Sequence, residues 1–548
     1  MLGLEYCKLT VMFILGVGDL VDFGWDFPYP SVRMPVMAGN IVATSQPLAA
    51  QAGIEMLWRG GNAVDAAIAT AVALTVVEPT SNGIGGDAFA IVWDTKRLHG
   101  LNASGKSPAA WSFEYFSKKY SSMPMLGWDT VTVPGVVSSW VELSNRFGKL
   151  PFADLFEPAV RYAYDGFIVS PFTARRWELA ADIYKDFPEF ARAFLPGGKP
   201  PKAGERFEFK EQAKTLEMIA ETKGEAFYRG VLAEKIVEHA KATGGMITEE
   251  DLALHEVEWV EPICIDYHGF TLHELPPNGQ GIAALIALGI LDRWDVRDYG
   301  VDTGDSLHLQ IEAMKLAFAD TYRYISDPRT MEVDFRELLS SEYLDMRSKL
   351  IDSKRAGDST YGTPKPGGTV YLTVADRSGM MVSFIQSNFM GFGSGIVIPG
   401  TGISMQNRGH GFSLEKGHPN QVDGGKKPFH TIIPAFVTKN GLPVMSFGVM
   451  GGPMQPQGHV QVMLRVFDFH QNPQAACDAP RWRVLEGRKV AVEPGFKPEV
   501  LDDLKMRGHE IVVTDDFLMF GGAQAIYRLS DGYLGASDPR KDGQAVGF

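Results

Sequence analysis

Gly367-Gly368-Thr369-Val370-Tyr371-Leu372-Thr373-Val374-Ala375-Asp376 runs from a glycine pair into an alternating, β-branched stretch that reads as a strand. Asp376-Arg377-Ser378-Gly379 turns the chain, and Met380 to Ser387 reads as the returning strand of a hairpin. Taken alone, a Thr that opens a strand is ordinary β chemistry. Upstream, Asp352 to Gly368 is polar, rich in Gly and Pro, and without periodicity, as in an exposed, protease-accessible linker. Downstream, strands are expected at 370–376, 380–387, 431–438, 444–449, 489–493, 510–514 and 523–528, with helices near 455–469 and 497–507.

The part before the hairpin is richer in helices. A strand at Ile41–Ser45 precedes a helical stretch from Pro47 to Trp58, which the glycines Gly60-Gly61 stop. Asn62 then opens an Ala-rich helix to about Glu78 that is apolar nearly all round, hence buried. Residues 150–260 read as mostly helical, with Thr248 capping an acidic first turn. Glu274 to Gly281 is a turn that feeds an apolar helix over about 281–293, and 304–323 is a further helix. Helices first and strands later, with some strands early, imply an α+β layered protein.

Size and charge narrow the function. A chain of 548 residues that is 45% hydrophobic and 22% charged can build a large core. A net charge of −14 with no basic run argues against nucleic acid. Cys7, Cys264 and Cys477 are dispersed and odd in number, so neither a disulfide framework nor a metal motif is expected, and the default compartment is reducing and cytoplasmic. Leu9 to Val17 is too short to span a membrane. With Glu5 before it and Asp19 after it, the run reads as a leader or start-site extension, with export through a signal peptide as the alternative.

Two glycine-dense loops invite ligand readings. Gly83-Ile84-Gly85-Gly86-Asp87 precedes a strand, but no helix or Gly-Lys-Ser/Thr follows, so close packing explains it better than phosphate binding. Gly451-Gly452, after an apolar strand, would let two backbone N–H groups point at one oxygen, as an oxyanion hole requires; from the residues alone a plain strand-to-helix turn is the better account. His430-Thr431 could pair a hydroxyl with a base, yet no nucleophile elbow or zinc-protease signature occurs. From the residues alone the reaction stays open.

A set of segments in order carries a resemblance. They are Val42-Ala43-Thr44-Ser45-Gln46-Pro47, Gly60-Gly61-Asn62-Ala63-Val64-Asp65-Ala66-Ala67, Gly83 to Asp87, Thr369 with Val374-Ala375-Asp376, Phe392-Gly393-Ser394-Gly395, Gly451-Gly452, and Ser537-Asp538-Pro539-Arg540-Lys541-Asp542-Gly543. From about residue 27 to 548 the chain resembles the gamma-glutamyltranspeptidase family of N-terminal-nucleophile hydrolases. The resemblance implies a four-layer αββα sandwich and self-cleavage between Gly368 and Thr369. Residues 1–26 would be a leader, 27–368 a helix-rich large subunit and 369–548 a strand-rich small one, both in one folded unit. It makes Thr369 the nucleophile and Gly451 and Gly452 the oxyanion donors, and it places Lys106, Ser387, Asn388, Arg408, His430 and Thr431 around the substrate, with no metal or cofactor. The implied partners are a gamma-glutamyl amide such as glutathione, or a related acyl amide, with water or an amine as acceptor. Whether such heterodimers assemble further is left open.

The departures bear on substrate. Ser104 stands where gamma-glutamyl enzymes of the family carry an Arg for the α-carboxylate, Gly411 stands where they carry an Asp for the α-ammonium, and His430-Thr431 replaces a Ser pair. A desolvated zwitterion needs partners of both signs, and here cations are at hand while the aligned anion is missing. That pattern resembles the cephalosporin-acylase-like and glutathione-hydrolase-like branch and keeps a glutaryl-type acylase as the alternative; an inactive, uncut homologue is the remote one. The stretch between Ser413 and Lys426 is short for the lid of lid-bearing members, which implies an open pocket.

Overall fold

Alternation along the strand Gly368–Ala375 sorts its side chains between two cores. Val370, Leu372 and Val374 pack among helices, while Tyr371 and Ala375 face a second sheet. The computed structural model describes residues 32–358, 368–516 and 518–548, and Arg33–Phe548 folds as one unit. The expected leader at 1–26 lies outside the described residues, as does most of the expected linker.

Two antiparallel seven-stranded sheets lie face to face. One runs Gln544–Gly547, Ile41–Thr44, Gly368–Ala375, Met381–Phe389, Asp87–Trp93, Leu98–Asn102 and Glu258–Val260. The other runs Val36–Ala38, Tyr533–Ser537, Ala523–Arg528, Leu442–Val449, Ala435–Lys439, Phe270–Glu274 and Ile263–Tyr267. Ile41, Phe89, Tyr371 and Ile385 of the first meet Phe436, Ile526 and Tyr533 of the second in a buried inter-sheet core. Helices Pro47–Trp58 and Ala63–Val77 cover the outer face of the first sheet, and Gly281–Leu291, Gly304–Tyr324 and Met454–Met463 cover the second. The result is the αββα sandwich.

Local chemistry sets these elements. The helix Ala63–Val77 starts in a capping box: Asn62 accepts from the N–H groups of Val64 and Asp65, and Asp65 accepts from Asn62 N–H at 2.9 Å. All of its residues are buried, which fits its apolar circumference. Each sheet draws strands from both sides of Thr369, so the two parts of the chain are woven together and burial holds them independently of the covalent link at Gly368–Thr369.

One expectation needs correction, and another gains detail. The strand expected at 431–438 begins only at Ala435, because Pro434 lacks an N–H and the preceding backbone is engaged elsewhere. His430 N–H donates to Asn278 O at 3.0 Å, and Ile433 N–H donates to Gln455 Oε1 at 2.9 Å. The described end of the expected linker is also pinned. His308 donates to Asp352 O at 2.8 Å, Gly357 N–H donates to Glu312 at 2.9 Å, and Arg507 donates to Ser353 O at 2.6 Å. Asp352 to Arg355 are exposed as expected, while backbone atoms of this stretch bond to residues 44 to 154 positions away.

Candidate active site

Thr369 sits at a bulge. Gly368 pairs with Phe389 and Val370 with Gln386, so the ladder shifts register at Thr369. Ser387 Oγ donates to the Gly368 carbonyl at 2.6 Å, accepts from Phe389 N–H at 2.7 Å, and lies 3.5 Å from Thr369 Oγ1. Phe389 holds φ at 78°, a conformation bulky residues avoid, so the strand opposite the Gly368–Thr369 bond is strained. Gln455 Nε2 reaches Thr369 Oγ1 at 3.4 Å from the other sheet's helix layer. In the uncut chain Thr369 is only 1% exposed, and Ser387 and Gln455 approach its hydroxyl from two sides.

Gly451 and Gly452 follow the strand Leu442–Val449 with φ of 115° and 60°, values that favour glycine. Their carbonyls accept the first N–H groups of the next helix, from Met454 and Gln455. Their own N–H groups have no partner among the described residues. Two unspent donors on a glycine turn can receive a developing oxyanion.

Arg408 is fully buried. Its Nη1 donates to Thr431 Oγ1 at 2.7 Å, and its guanidinium lies 4.5 Å over the ring of strained Phe389. Nε and Nη2, which share the other edge of the guanidinium plane, have no partner among the described residues. Burial pushes this guanidinium down to about 9, against the opposing pull of Asp87. His430 stands next to Thr431, with Nε2 3.1 Å from Asp87 Oδ2; both side chains are buried. Ile432 N–H approaches His430 Nδ1 at 3.4 Å, which leaves Nε2 to carry the proton towards Asp87. Burial raises the Asp87 carboxyl to about 7 despite the Arg408 charge and the N–H groups of Gly135 and Gly105. Burial, with the charges of Arg408 and Lys427, holds His430 well below its usual range, so its ring is neutral.

Ser387, Asn388, Arg408, His430, Thr431, Gly451 and Gly452 thus fall in the strands and loops around Thr369. Asn388 keeps an Oδ1 with no partner among the described residues. Lys106 is exposed, and its ammonium takes part in no hydrogen bond or ion pair among them, so no contact ties it to Thr369. Ser104 is spent on Asn102 Oδ1 at 2.7 Å and Asn278 Oδ1 at 3.3 Å. A Cβ at Gly411 would sit 2.6 Å from Phe429 O, so backbone occupies the space an Asp would need. Asp87, Gln280 and Gln455 escaped the sequence reading as site residues. Asp87 ends the Gly83–Asp87 motif and Gln280 ends a Pro-Asn-Gly turn, but neither position identifies a partner.

Elsewhere, His308, Glu312 and His509 bring their ligand atoms within 4.8 Å of one another. Lys315 Nζ lies 2.8 Å from Glu312 Oε1 and supplies the positive charge a cation would bring. His308 and Glu312 share a helix face at i, i+4, while His509 comes from far downstream, so no local motif announces the cluster.

The gamma-glutamyltranspeptidase family model matches residues 49–548. The chain belongs to the gamma-glutamyltranspeptidase family. It is 37% identical over 521 residues to a glutathione hydrolase-like YwrD proenzyme of Bacillus subtilis, covering 93% of this chain and 98% of that one. It is 38% identical over 520 residues to an oxamate amidohydrolase proenzyme of Klebsiella pneumoniae, covering 91% and 97%. Among solved structures, a cephalosporin acylase from Bacillus halodurans superposes with a TM-score of 0.92 at 50% identity, covering 96% of this chain and 99% of that one. As a gamma-glutamyltranspeptidase-family enzyme the chain is a hydrolase or acyltransferase. Among the described residues no helix is long and apolar enough to cross a membrane.

Proposed function

We propose that the chain is a precursor that cuts itself between Gly368 and Thr369 and then cleaves small acyl amides through an acyl-Thr369 ester. In self-cleavage, Thr369 Oγ attacks the Gly368 carbonyl carbon while Ser387 holds that carbonyl's oxygen. The C–N bond breaks, the nitrogen leaves as the Thr369 amine, and water hydrolyses the ester to free the Gly368 carboxylate. The freed α-amine, with an ordinary pKa of about 7.7–8.0, then serves as base for the Thr369 hydroxyl. Attack on a substrate amide places negative charge where the N–H groups of Gly451 and Gly452 can receive it.

The single observation that carries the substrate reading is the Nε–Nη2 edge of buried Arg408, which has no partner among the described residues. That edge matches a carboxylate with two parallel bonds, and a buried guanidinium without one is costly. The acyl group therefore carries a carboxylate. Gamma-glutamyl amides such as glutathione meet this need, in keeping with the glutathione hydrolase-like relative, and transfer to an amine is the variation on hydrolysis. Backbone at the Asp position, Gly411, favours a second reading, a glutaryl-type acylase whose acyl group lacks the α-ammonium.

A denaturing gel with mass spectrometry tests the first step. The wild type should give fragments ending at Gly368 and starting at Thr369, and Thr369→Ala should stay whole and inactive. An intact, inactive wild type sinks the proposal. Initial rates on gamma-glutamyl- and glutaryl-p-nitroanilide separate the two acyl readings, since faster glutaryl turnover removes the gamma-glutamyl assignment.

A further inference from the structure

Gln280 is fully buried at the end of the turn before the helix Gly281–Leu291. Its backbone N–H donates to His430 O at 2.9 Å. Its side-chain Nε2 donates twice, to Thr431 O at 2.6 Å and to Gly452 O at 2.9 Å. One carboxamide thus spans the two ends of the site. Thr431 supplies the hydroxyl that holds Arg408, and Gly452 is half of the glycine turn with unspent donors. Gly452 has φ of 60° and precedes Pro453, so no side chain of its own fixes where its N–H points. Its carbonyl is held by Gln280 and by the Gln455 N–H at 3.1 Å.

We infer that Gln280 is a positioning residue that locks the carboxylate-binding arginine and the oxyanion turn into one geometry. The inference rests on the acyl-Thr369 reading above. Through Thr431 it keeps the Arg408 edge at a set distance from the reacting carbonyl. Through Gly452 it keeps the oxyanion donor on target. No other side chain of an essentially neutral kind is needed for this: an amide nitrogen brings two N–H donors and no charge, so it can bridge two carbonyls without perturbing Asp87 or Arg408.

The test uses self-cleaved protein and two probes, glutaryl-p-nitroanilide and butyryl-p-nitroanilide, which differ in the terminal carboxylate. Gln280→Leu removes both donors at similar volume. The expected result is kcat about tenfold or more lower on both probes, because the oxyanion turn drifts, with KM raised only for glutaryl, because Arg408 drifts. A role confined to packing would lower Tm and leave both constants unchanged. Gln280→Glu is the second variant, should Gln280→Leu fail to fold: it keeps the shape but turns carboxylate oxygens on both carbonyls, and the same split should appear. Unchanged kcat, or a KM rise equal for both probes, in whichever variant folds overturns the inference. Failure of the wild type to self-cleave or turn over either probe would instead count against the acyl-Thr369 reading.

Discussion

The two glycine loops of this enzyme look alike in sequence and differ in what surrounds them. In Gly83–Asp87 the missing side chains make room for protein: a Cβ on Gly86 would lie 2.7 Å from Ser387 O and 2.8 Å from Asn388 Oδ1. At Gly451–Gly452 the nearest atom to a Cβ on Gly451 is 3.1 Å away, and the N–H groups have no partner among the described residues. Glycine density alone therefore does not separate packing from binding. What separates them is how closely other residues press on the loop, a property of residues far off in the chain.

Substitution should split the loops along that line. Gly86→Ala drives a methyl into the backbone of the strand that carries Ser387, so overpacking costs about 1–3 kcal/mol and the junction geometry goes with it. Soluble yield and self-cleavage should both collapse, as read on a gel. Gly451→Ala places a side chain at φ 115°, a local strain of about 1–2 kcal/mol, and should leave a folded, cleaved protein. Its kcat should fall on the order of 10²–10³-fold through displaced oxyanion donors. If Gly451→Ala lost fold and activity together, the contrast between the loops would fail.

Arg408→Met sharpens the contrast from the substrate side. A lost charged hydrogen bond of about 1.5–3 kcal/mol corresponds to a KM about ten- to a hundredfold higher for carboxylate-bearing amides. Stability should hold or rise, because among the described residues no carboxylate lies within ion-pair distance of this buried arginine and its removal relieves a poorly compensated charge. A Tm loss of many degrees in thermal melts, with unchanged KM, would make Arg408 a structural residue.

The same distinction explains what the sequence revealed. Helix Ala63–Val77 was legible because Asn62 and Asp65 form its cap locally and its apolar run is long. The hairpin from Gly368 was legible because alternation and the Asp376–Gly379 turn agree. The hairpin Ile263–Tyr267 with Phe270–Glu274 went unassigned, although His268 and Gly269, both at positive φ, form the kind of turn that marks one. Thr369 and the glycine pair were found through an ordered set of motifs, not through local chemistry. Gln280, Asp87 and Gln455 could not be found that way, because the contacts that tie them to Gly452, His430 and Thr369 each span more than 80 residues and only the fold makes them.

The smallest expected effect concerns Asp87, where the packed loop touches the site. Its carboxyl is raised from 3.8 to about 7 in the folded chain. Between those values the folded protein keeps a proton that the unfolded chain has released, so this group's contribution to stability falls as pH rises. His430 has the opposite sign: its folded pKa lies well below 6.5, so below that value the unfolded chain takes up a proton that the folded one refuses. Its contribution is full above 6.5 and is lost as pH falls. The two slopes offset one another in the wild type between about pH 4 and 6.5. Removing either partner should expose the other. His430→Gln leaves Asp87 alone, and its urea midpoint should drop relative to wild type from about pH 5 to 6.5. Asp87→Asn leaves His430 alone, and its midpoint should climb over the same interval. Parallel pH profiles for the two variants would show that Asp87 and His430 do not titrate as an opposed pair, and would leave the packed loop with no electrostatic link to the site.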